Sequence, residues 1–473
     1  MTARADERNP AILRIDSPHP GTILAALINM NQPTGNTVKS VAIGIIGYGT
    51  VGQGVVEVLQ KNAREIERRC GYHLQVKSVA RRDWSGTDTS ALPFTCTTDP
   101  FAVASDPAVD IVIELAGGEH PARELIETAL KNGKHVITAN KALIAKHGEA
   151  LFALAREKGL ELTFEAAVAG GIPVIKVLRE GMSGNEVKRV AGIINGTSNY
   201  ILTEMAQKGR DFADVLKEAQ ALGYAEADPS FDINGTDAAH KITILASIAF
   251  GIPLQFDSVH IEGIDALTPE DIQDAAELGY SIKHLGLAVR RDNGVEIRVH
   301  PTLVPQNALI ASVNGVMNAV QVQGNAVGNS LYYGPGAGKL PTASAVVADL
   351  IDVVRELNLK GEDRLAEFGY SEVHDRSSLP VLPAEAFYSA YYLRLTVADR
   401  AGVLADITRI LADNSISINS VSQKNHRKHN GHIPLVLLTE IVSEAQMNHA
   451  CEQLAALPAV SGAVKRIRVE NIE

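Results

Sequence analysis

Val41-Ala-Ile-Gly-Ile-Ile-Gly-Tyr-Gly-Thr-Val-Gly52 is the stretch on which the reading of this chain turns. An apolar run ends in glycines at 47, 49 and 52, and a helical pattern follows to about Ile66. In a strand–turn–helix the first glycine permits the tight turn and the second lets backbone N–H groups approach a pyrophosphate. The third lets helix and strand pack closely. The helix N-terminus adds partial positive charge. Gly47, Tyr48, Gly49, Thr50, Val51 and Gly52 are therefore expected to hold a dinucleotide.

Working outward, the apolar runs LQVKSVA, DIVIEL, KHVITA and LELTFEAAV alternate with helical patterns as far as Val168. That rhythm predicts parallel βαβ units, closed by right-handed crossovers into a doubly wound, Rossmann-like nucleotide domain over residues 40–168. Its second strand ends in Ala80-Arg81-Arg82-Asp83. Arginine favours the 2′-phosphate of NADP, whereas an acid at the strand tip favours the 2′-hydroxyl of NAD. The arginines come first, so NADP leads with Arg81 as its contact, and Asp83 keeps NAD open.

Length and composition bound the rest. At roughly 150 residues per domain, 473 residues allow more than one module, and 45% hydrophobic with 21% charged residues marks a globular chain. Lys and Arg number 44 against 55 for Asp and Glu, a formal charge of −11, which argues against a nucleic-acid partner. Cys70, Cys96 and Cys451 lie far apart without a CxxC pair, so a reducing, cytoplasmic setting is expected. No apolar run is long enough to span a membrane, and the first residues, which include Asp6 and Glu7, carry no export pattern.

Beyond Gly170 longer helices (DFADVLKEAQALG, TDAAHKITILASIAFG) and alternating strands such as VEIRVHPTLV predict an α+β substrate domain over 169–333. The stretch 361–387, with prolines at 380 and 383 and little periodicity, reads as a linker. Residues 388–473 then follow a βαββαβ order, a small ferredoxin-like module. Residues 1–39 read as an N-terminal arm.

Four motifs carry chemistry. Thr138-Ala-Asn140-Lys141 places a lysine at a helix start, an unfavourable place for a cation unless an anionic or carbonyl ligand lies near. Glu165-Ala-Ala-Val168-Ala-Gly170-Gly-Ile172-Pro173 is a small turn that reads either as interdomain packing or as a cation loop with carbonyl ligands. In Gly192-Ile-Ile-Asn195-Gly-Thr197-Ser-Asn199, Asn195 or Thr197 is expected to cap the apolar helix that follows. The fourth runs from Gly223 through Glu226 and Asp232 to Asp237 and Lys241, the last two spaced i,i+4 on one helix face. The apolar ITILASIAFG that follows predicts a buried helix, and a buried Lys–Asp pair is costly to keep without a function. Lys141 and Lys241 are thus candidate proton donors or carbonyl polarisers. His240 reads as a packed or capping side chain.

Together GYGTVG, TANK, EAAVAGGIP, GIINGTSNYIL, GYAEADPSFDINGTDAAHK and the late GPGAGKLPTASAV (334–346) resemble the homoserine dehydrogenases over about 41–359. The resemblance implies interconversion of L-aspartate 4-semialdehyde and L-homoserine with NAD(P)(H) by a homodimer or homotetramer. It implies Lys241 as proton donor, Glu226 and Asp237 as substrate contacts with Asp232 a weaker one, and Asn140 and Lys141 beside the nicotinamide. Gly223 and Gly338 would face the cofactor, and the helix after Gly338 would return the chain, over about 334–360, to the nucleotide domain. It further implies a sodium ion at Glu165, Val168, Gly170 and Ile172, largely through main-chain carbonyls, overturning the packing reading of that turn.

From Tyr391 onward the chain resembles ACT domains, which bind amino acids. The Asp399-Arg-Ala-Gly402 turn at a helix start suits an α-carboxylate, and Asn419 an α-amino group. Threonine, acting as feedback inhibitor, is the ligand the resemblance implies. The tract Asn425–His432 reads as a hairpin loop rather than a metal site.

Overall fold

The computed structural model describes residues 39–357, 365–370, 379–423 and 430–472. Apart from Lys39, the arm at 1–39 lies outside the described residues.

The first domain contains a six-stranded, all-parallel sheet in the order β3-β2-β1-β4-β5-β6. Its strands are β1 (Ser40–Ile46), β2 (His73–Ala80), β3 (Thr95–Thr97), β4 (Ile111–Glu114), β5 (His135–Thr138) and β6 (Leu162–Thr163). Every residue of β4 and β5 is buried, as strands covered on both faces require. The chain order reverses between β1 and β4, and ligands of such sheets bind at the carboxyl ends beside that switch. Helices α1 (Thr50–Lys61) and α2 (Lys141–Lys158) leave β1 and β5 at that edge.

The substrate domain follows with β7 (Val187–Ile193), α3 (Gly196–Lys208), α4 (Thr236–Phe250) and β8 (His260–Ile261). The long hairpin β9 (Tyr280–Arg291) and β10 (Gly294–Pro305) comes next, then β11 (Met317–Gly324) and β12 (Gly328–Pro335). Helix α4 is buried at all positions except Thr236 and the partly buried Lys241. Its Ile242, Ile244, Leu245, Ile248 and Phe250 are each at most 2% exposed, and each contributes about 1.5–3 kcal/mol by burial. That apolar shaft fixes the charged end of the helix in place.

Helix α5 (Lys339–Glu356) returns to the first domain, where Val346, Leu350 and Val353 share a core with Ile43, Ile45 and Val55. Gly54 of α1 makes this approach possible, because a Cβ there would lie 2.4 Å from the Lys339 carbonyl oxygen.

The tail module contains β13 (Tyr388–Ala398), α6 (Val403–Asp413), β14 (Ile418–Gln423), β15 (His432–Thr439), β16 (Val442–Ser443), α7 (Glu444–Ala455) and β17 (Val460–Val469). It is not a separate bead. β17 pairs antiparallel with β13 and parallel with β10 through Thr302↔Arg468 and Leu303↔Val469. The result is one 11-stranded sheet, β12-β11-β7-β9-β10-β17-β13-β15-β14, with β8 beside β10 and β16 beside β13. Past β17 the chain continues over the substrate domain. The Asn471 carbonyl accepts from Arg189 Nη1 (2.7 Å), the Ile472 carbonyl accepts from Gln321 Nε2 (2.6 Å), and Ile472 is buried with Ala191, Ile193 and Leu285.

The stretch expected as a linker is docked where it is described. Phe368 is buried against Phe152 and Phe164, with ring centroids at 5.1 and 6.1 Å, and Val381 bridges Val295. Its aromatic residues outweigh its prolines. Within the 425–432 tract, residues 425–429 lie outside the described residues, and Asn430 and Gly431 take the positive φ of a turn (46° and 76°).

Candidate active site

The glycine turn after β1 has the tight turn and the close packing expected of glycines at 47 and 52. Gly47 has φ 103°, and a Cβ there would lie 2.6 Å from Leu115 backbone atoms; one on Gly52 would lie 2.2 Å from the Gly47 carbonyl oxygen. Gly49 has no protein atom within 4 Å of its Cβ position and is the N-cap of α1 without any side-chain cap. The first N–H groups of α1 thus lack a side-chain cap beside the cleft that Gly49 and Thr50 line, an arrangement suited to phosphate. Gly47, Tyr48, Gly49, Thr50 and Arg81 line a cleft of 790 Å³ together with Ala116 and Gly117. Val51 and Gly52 instead turn toward the core. Tyr48 packs on Trp84 and Phe94, and the Arg81 guanidinium lies 5.7 Å from the Trp84 ring centre. Both carboxylate oxygens of Asp83 accept from Ser85, its N–H at 2.7 Å and its hydroxyl at 2.6 Å.

From this cleft a chain of contacts leads to the lysines. Buried Glu114, at the end of β4, accepts from the N–H groups of Ala116 (2.7 Å) and Gly117 (3.2 Å) and from the Thr138 hydroxyl (2.7 Å). Burial raises its pKa against these hydrogen bonds. The Asn140 amide donates to the Gly118 carbonyl (2.6 Å) while its oxygen caps α2 by accepting from Leu143 N–H. Lys141, next along, reaches Asp237 Oδ1 at 3.3 Å.

Asp237 is the centre. Its Oδ2 accepts from Lys241 Nζ (2.7 Å) and Asn195 Nδ2 (2.9 Å). Burial opposes ionisation of this carboxyl, but the charges of Lys241 and Lys141, with hydrogen bonds from Lys241 and Asn195, hold its pKa well below the usual carboxylate range. Lys241 also donates to the Ile194 carbonyl at 2.7 Å. Its pKa is lowered, chiefly by burial, with Asp237 opposing and Lys141 adding to the fall. Asp232 joins through Asn195 Nδ2 (2.8 Å), and its pKa is raised by burial and by the nearby Asp237 charge.

The structure thus brings Lys141, Asp232, Asp237 and Lys241 together. Glu226 and Gly223 stand apart on the exposed loop after the 212–221 helix, where Gln220 Nε2 donates to the Glu226 carbonyl (3.1 Å). Gly338 is the N-cap of α5, with φ 126°. Asn195 does more than the expected capping, since it accepts from Ser198 N–H and also joins two carboxylates. Glu114 has no counterpart in the sequence reading; an acid closing an all-apolar strand was its only signal.

At the proposed cation turn, Ala169 and Gly170 have positive φ (55° and 50°). Both Glu165 carboxylate oxygens accept from backbone N–H groups of Ile175 and Lys176 at 2.9 Å, and burial, with Asp349 nearby, pushes its pKa up to about 7. Among the described residues no group of three or more His, Cys, Asp or Glu could hold a metal. The oxygen donors left at this turn are main-chain carbonyls, which fits a hard monovalent cation. In the tail, Gly402 (φ 93°) starts α6 without a side-chain cap, and Asn419 Nδ2 donates to Glu440 Oε1 (2.9 Å).

Three family models match the chain: "Homoserine dehydrogenase, NAD binding domain" over residues 47–165, "Homoserine dehydrogenase" over 173–351 and "ACT domain" over 391–459. A homoserine dehydrogenase of Pseudomonas aeruginosa is 56% identical over 436 residues, 92% of this chain and 100% of that protein. One from Neisseria gonorrhoeae is 46% identical over 435 residues, 92% and 100% of the two chains. The crystal structure of a homoserine dehydrogenase from Thiobacillus denitrificans superposes with a TM-score of 0.87 at 54% identity, covering 92% of this chain and 99% of the other. A hyperthermophilic archaeal homoserine dehydrogenase mutant in complex with NADPH gives 0.58 at 28% identity, covering 68% and 100%. With its NAD-binding domain, its substrate domain and its ACT module all matched, the chain belongs to the homoserine dehydrogenases, oxidoreductases acting on a CH–OH group.

Proposed function

We propose that the chain reversibly reduces L-aspartate 4-semialdehyde to L-homoserine, on the route to threonine, methionine and isoleucine, with NADPH favoured over NADH. The carrying observation is the position of Lys241 Nζ, 2.7 Å from Asp237 Oδ2, with the Lys141 ammonium 3.3 Å from Oδ1 of the same carboxylate. A bound nicotinamide supplies the hydride. As hydride reaches the aldehyde carbon, the carbonyl electron pair moves to oxygen, and the Lys241 ammonium stabilises that charge and transfers a proton to it. Lysine suits this because burial lowers its pKa while Asp237 keeps it protonated. Lys141 adds a second positive charge beside the reacting carbon. Asp237, Asp232 and the loop carrying Glu226 take the amino-acid end of the substrate.

Arg81 over Trp84, with Asp83 tied to Ser85, supports the NADP preference, as does the archaeal relative's complex with NADPH. Asn140, Gly223 and Gly338 complete the cofactor contacts. A sodium ion would be held by carbonyls of Glu165, Val168, Gly170 and Ile172, stiffening the turn between the domains. Threonine, bound at the Gly402 turn and Asn419, would lower activity. The enzyme works in the cytoplasm as a homodimer or homotetramer.

The test is initial velocity with L-homoserine, comparing NADP⁺ with NAD⁺, with and without threonine. Turnover with NADP⁺ ahead and slowed by threonine is expected. Absence of turnover with either cofactor would refute the reaction, and an unchanged rate at saturating threonine would refute the regulation.

A further inference from the structure

Strand β4 closes on Glu114, although the three residues before it are apolar and the whole strand is buried. Glu114 is 0% exposed, as is Thr138, its parallel neighbour at the end of β5. Burying a carboxyl is costly unless its oxygens are matched, and an apolar residue would close the strand at less cost. No basic side chain pairs with Glu114 among the described residues; its hydrogen bonds come from two peptide N–H groups and one hydroxyl. Packing and ion pairing therefore do not explain an acid here, whereas the places of those donors do.

The donors belong to two loops. Oε1 accepts from Ala116 and Gly117, which line the cofactor cleft together with Leu115. That loop also meets the glycine cradle: Leu115 N–H donates to the Ile46 carbonyl at 2.7 Å, and the Leu115–Ala116 peptide occupies the space where a Cβ on Gly47 would lie. Oε2 accepts from the Thr138 hydroxyl, which itself accepts from Asn140 N–H at 3.0 Å. Asn140 closes the circuit by donating its amide to the Gly118 carbonyl at 2.6 Å, and it caps α2, the helix whose first residue is Lys141. Further along α2, Lys146 Nζ donates to Glu119 Oε1 at 2.6 Å, a second tie to the same loop.

We propose that Glu114 is a positioning residue that fastens the loop after β4 to the start of α2, so that the peptides lining the cofactor cleft and the Lys141 ammonium are placed as one unit. Lys141 stands 3.3 Å from Asp237 Oδ1, a longer contact than the 2.7 Å of Lys241, so its position depends more on where its helix begins. Thr138 is the link, since its hydroxyl alone joins the carboxylate to Asn140 N–H. The inference rests on the role given above to Lys141.

Thr138→Val removes the hydroxyl at similar size and Thr138→Ser retains it. Glu114→Gln keeps an oxygen for the Ala116 and Gly117 N–H groups but turns an amide N–H against the hydroxyl. Steady-state kinetics with L-homoserine and NADP⁺, NADPH titration and thermal unfolding are measured on the full-length protein, with each variant made alone and together with Lys141→Ala. In Thr138→Val kcat should fall roughly tenfold, in Glu114→Gln by less, and Thr138→Ser should stay near wild type, with NADPH affinity retained in all three. Beside Lys141→Ala, Thr138→Val should change kcat by less than about twofold, because the group it places is already gone. A wild-type kcat in both Thr138→Val and Glu114→Gln overturns the proposal. So does a fall in kcat that recurs in full beside Lys141→Ala, or one that follows lost thermal stability and is not rescued by serine. A Lys141→Ala variant that turns over like wild type refutes the role of Lys141 and the proposal with it, whereas a slow Lys141→Ala beside a fully active Thr138→Val and Glu114→Gln removes only the role of Glu114.

Discussion

Between Gly47 and Gly52 no side chain carries a charge, and the site is made by what is missing: a Cβ at Gly47 or Gly52 would collide with backbone, and one at Gly49 would meet nothing. At the head of α4 the reverse holds, with two ammonium groups and a carboxylate within 3.3 Å at the end of an apolar helix. The cradle is shape and is indifferent to pH. The cluster is charge in a poorly solvated place, where the ionisation of Asp237 and of Lys241 is set by the charges around them. The contrast teaches that one change can disable chemistry without touching cofactor binding, and another the converse.

The largest expected effect tests the charged side. Lys241→Ala should lower turnover by ~10²-fold or more while NADPH binding, followed by fluorescence titration, is retained; a parallel loss of both would erase the contrast. The wild-type pH profile sharpens it. Reduction requires the ammonium form, so its rate should fall as pH rises through the lowered Lys241 pKa, and homoserine oxidation should rise through the same value.

Next come two substitutions in the cradle that add the same methyl group. Gly52→Ala places it against the Gly47 carbonyl oxygen and should cost about 1–3 kcal/mol of stability along with cofactor affinity. Gly49→Ala should leave the melting temperature unchanged and weaken cofactor binding alone. Calorimetry on both, with titrations, checks the pair, and equal destabilisation would show that Gly49 serves the fold rather than the ligand. The smallest effect is expected at Arg81→Ala, a rise of roughly three- to tenfold in the Michaelis constant for NADPH with little change for NADH. Equal changes would remove the 2′-phosphate contact.

The same contrast explains what could be read from the sequence. Glycine roles are local, so the cradle and the parallel sheet behind it are legible in a dozen residues, and Asp237 and Lys241 are legible because a helix brings i and i+4 together. Asn195 is different. Its cap on Ser198 is local and expected, but its bonds to Asp232 and Asp237 span 37 and 42 residues and exist only once β7 lies beside α4. Glu114 is invisible for the same reason, since its partner Thr138 lies 24 residues further on and meets it only at the carboxyl edge of the folded sheet. The two-residue pairing of β17 with β10 leaves no periodic trace, and Phe368 looks like any aromatic in a stretch without periodicity.

That short pairing has a practical consequence. Deleting residues 388–473 to ask whether the ACT module regulates would not sever a tether. It would strip the partner from the Thr302–Leu303 end of β10 and uncover the apolar patch that Ile472 seals, leaving a bare strand edge open to association with other copies. A truncated protein that ignored threonine could be ignoring it because it had aggregated. Single changes at Gly402 or Asn419 within the full chain ask the regulatory question without opening the sheet.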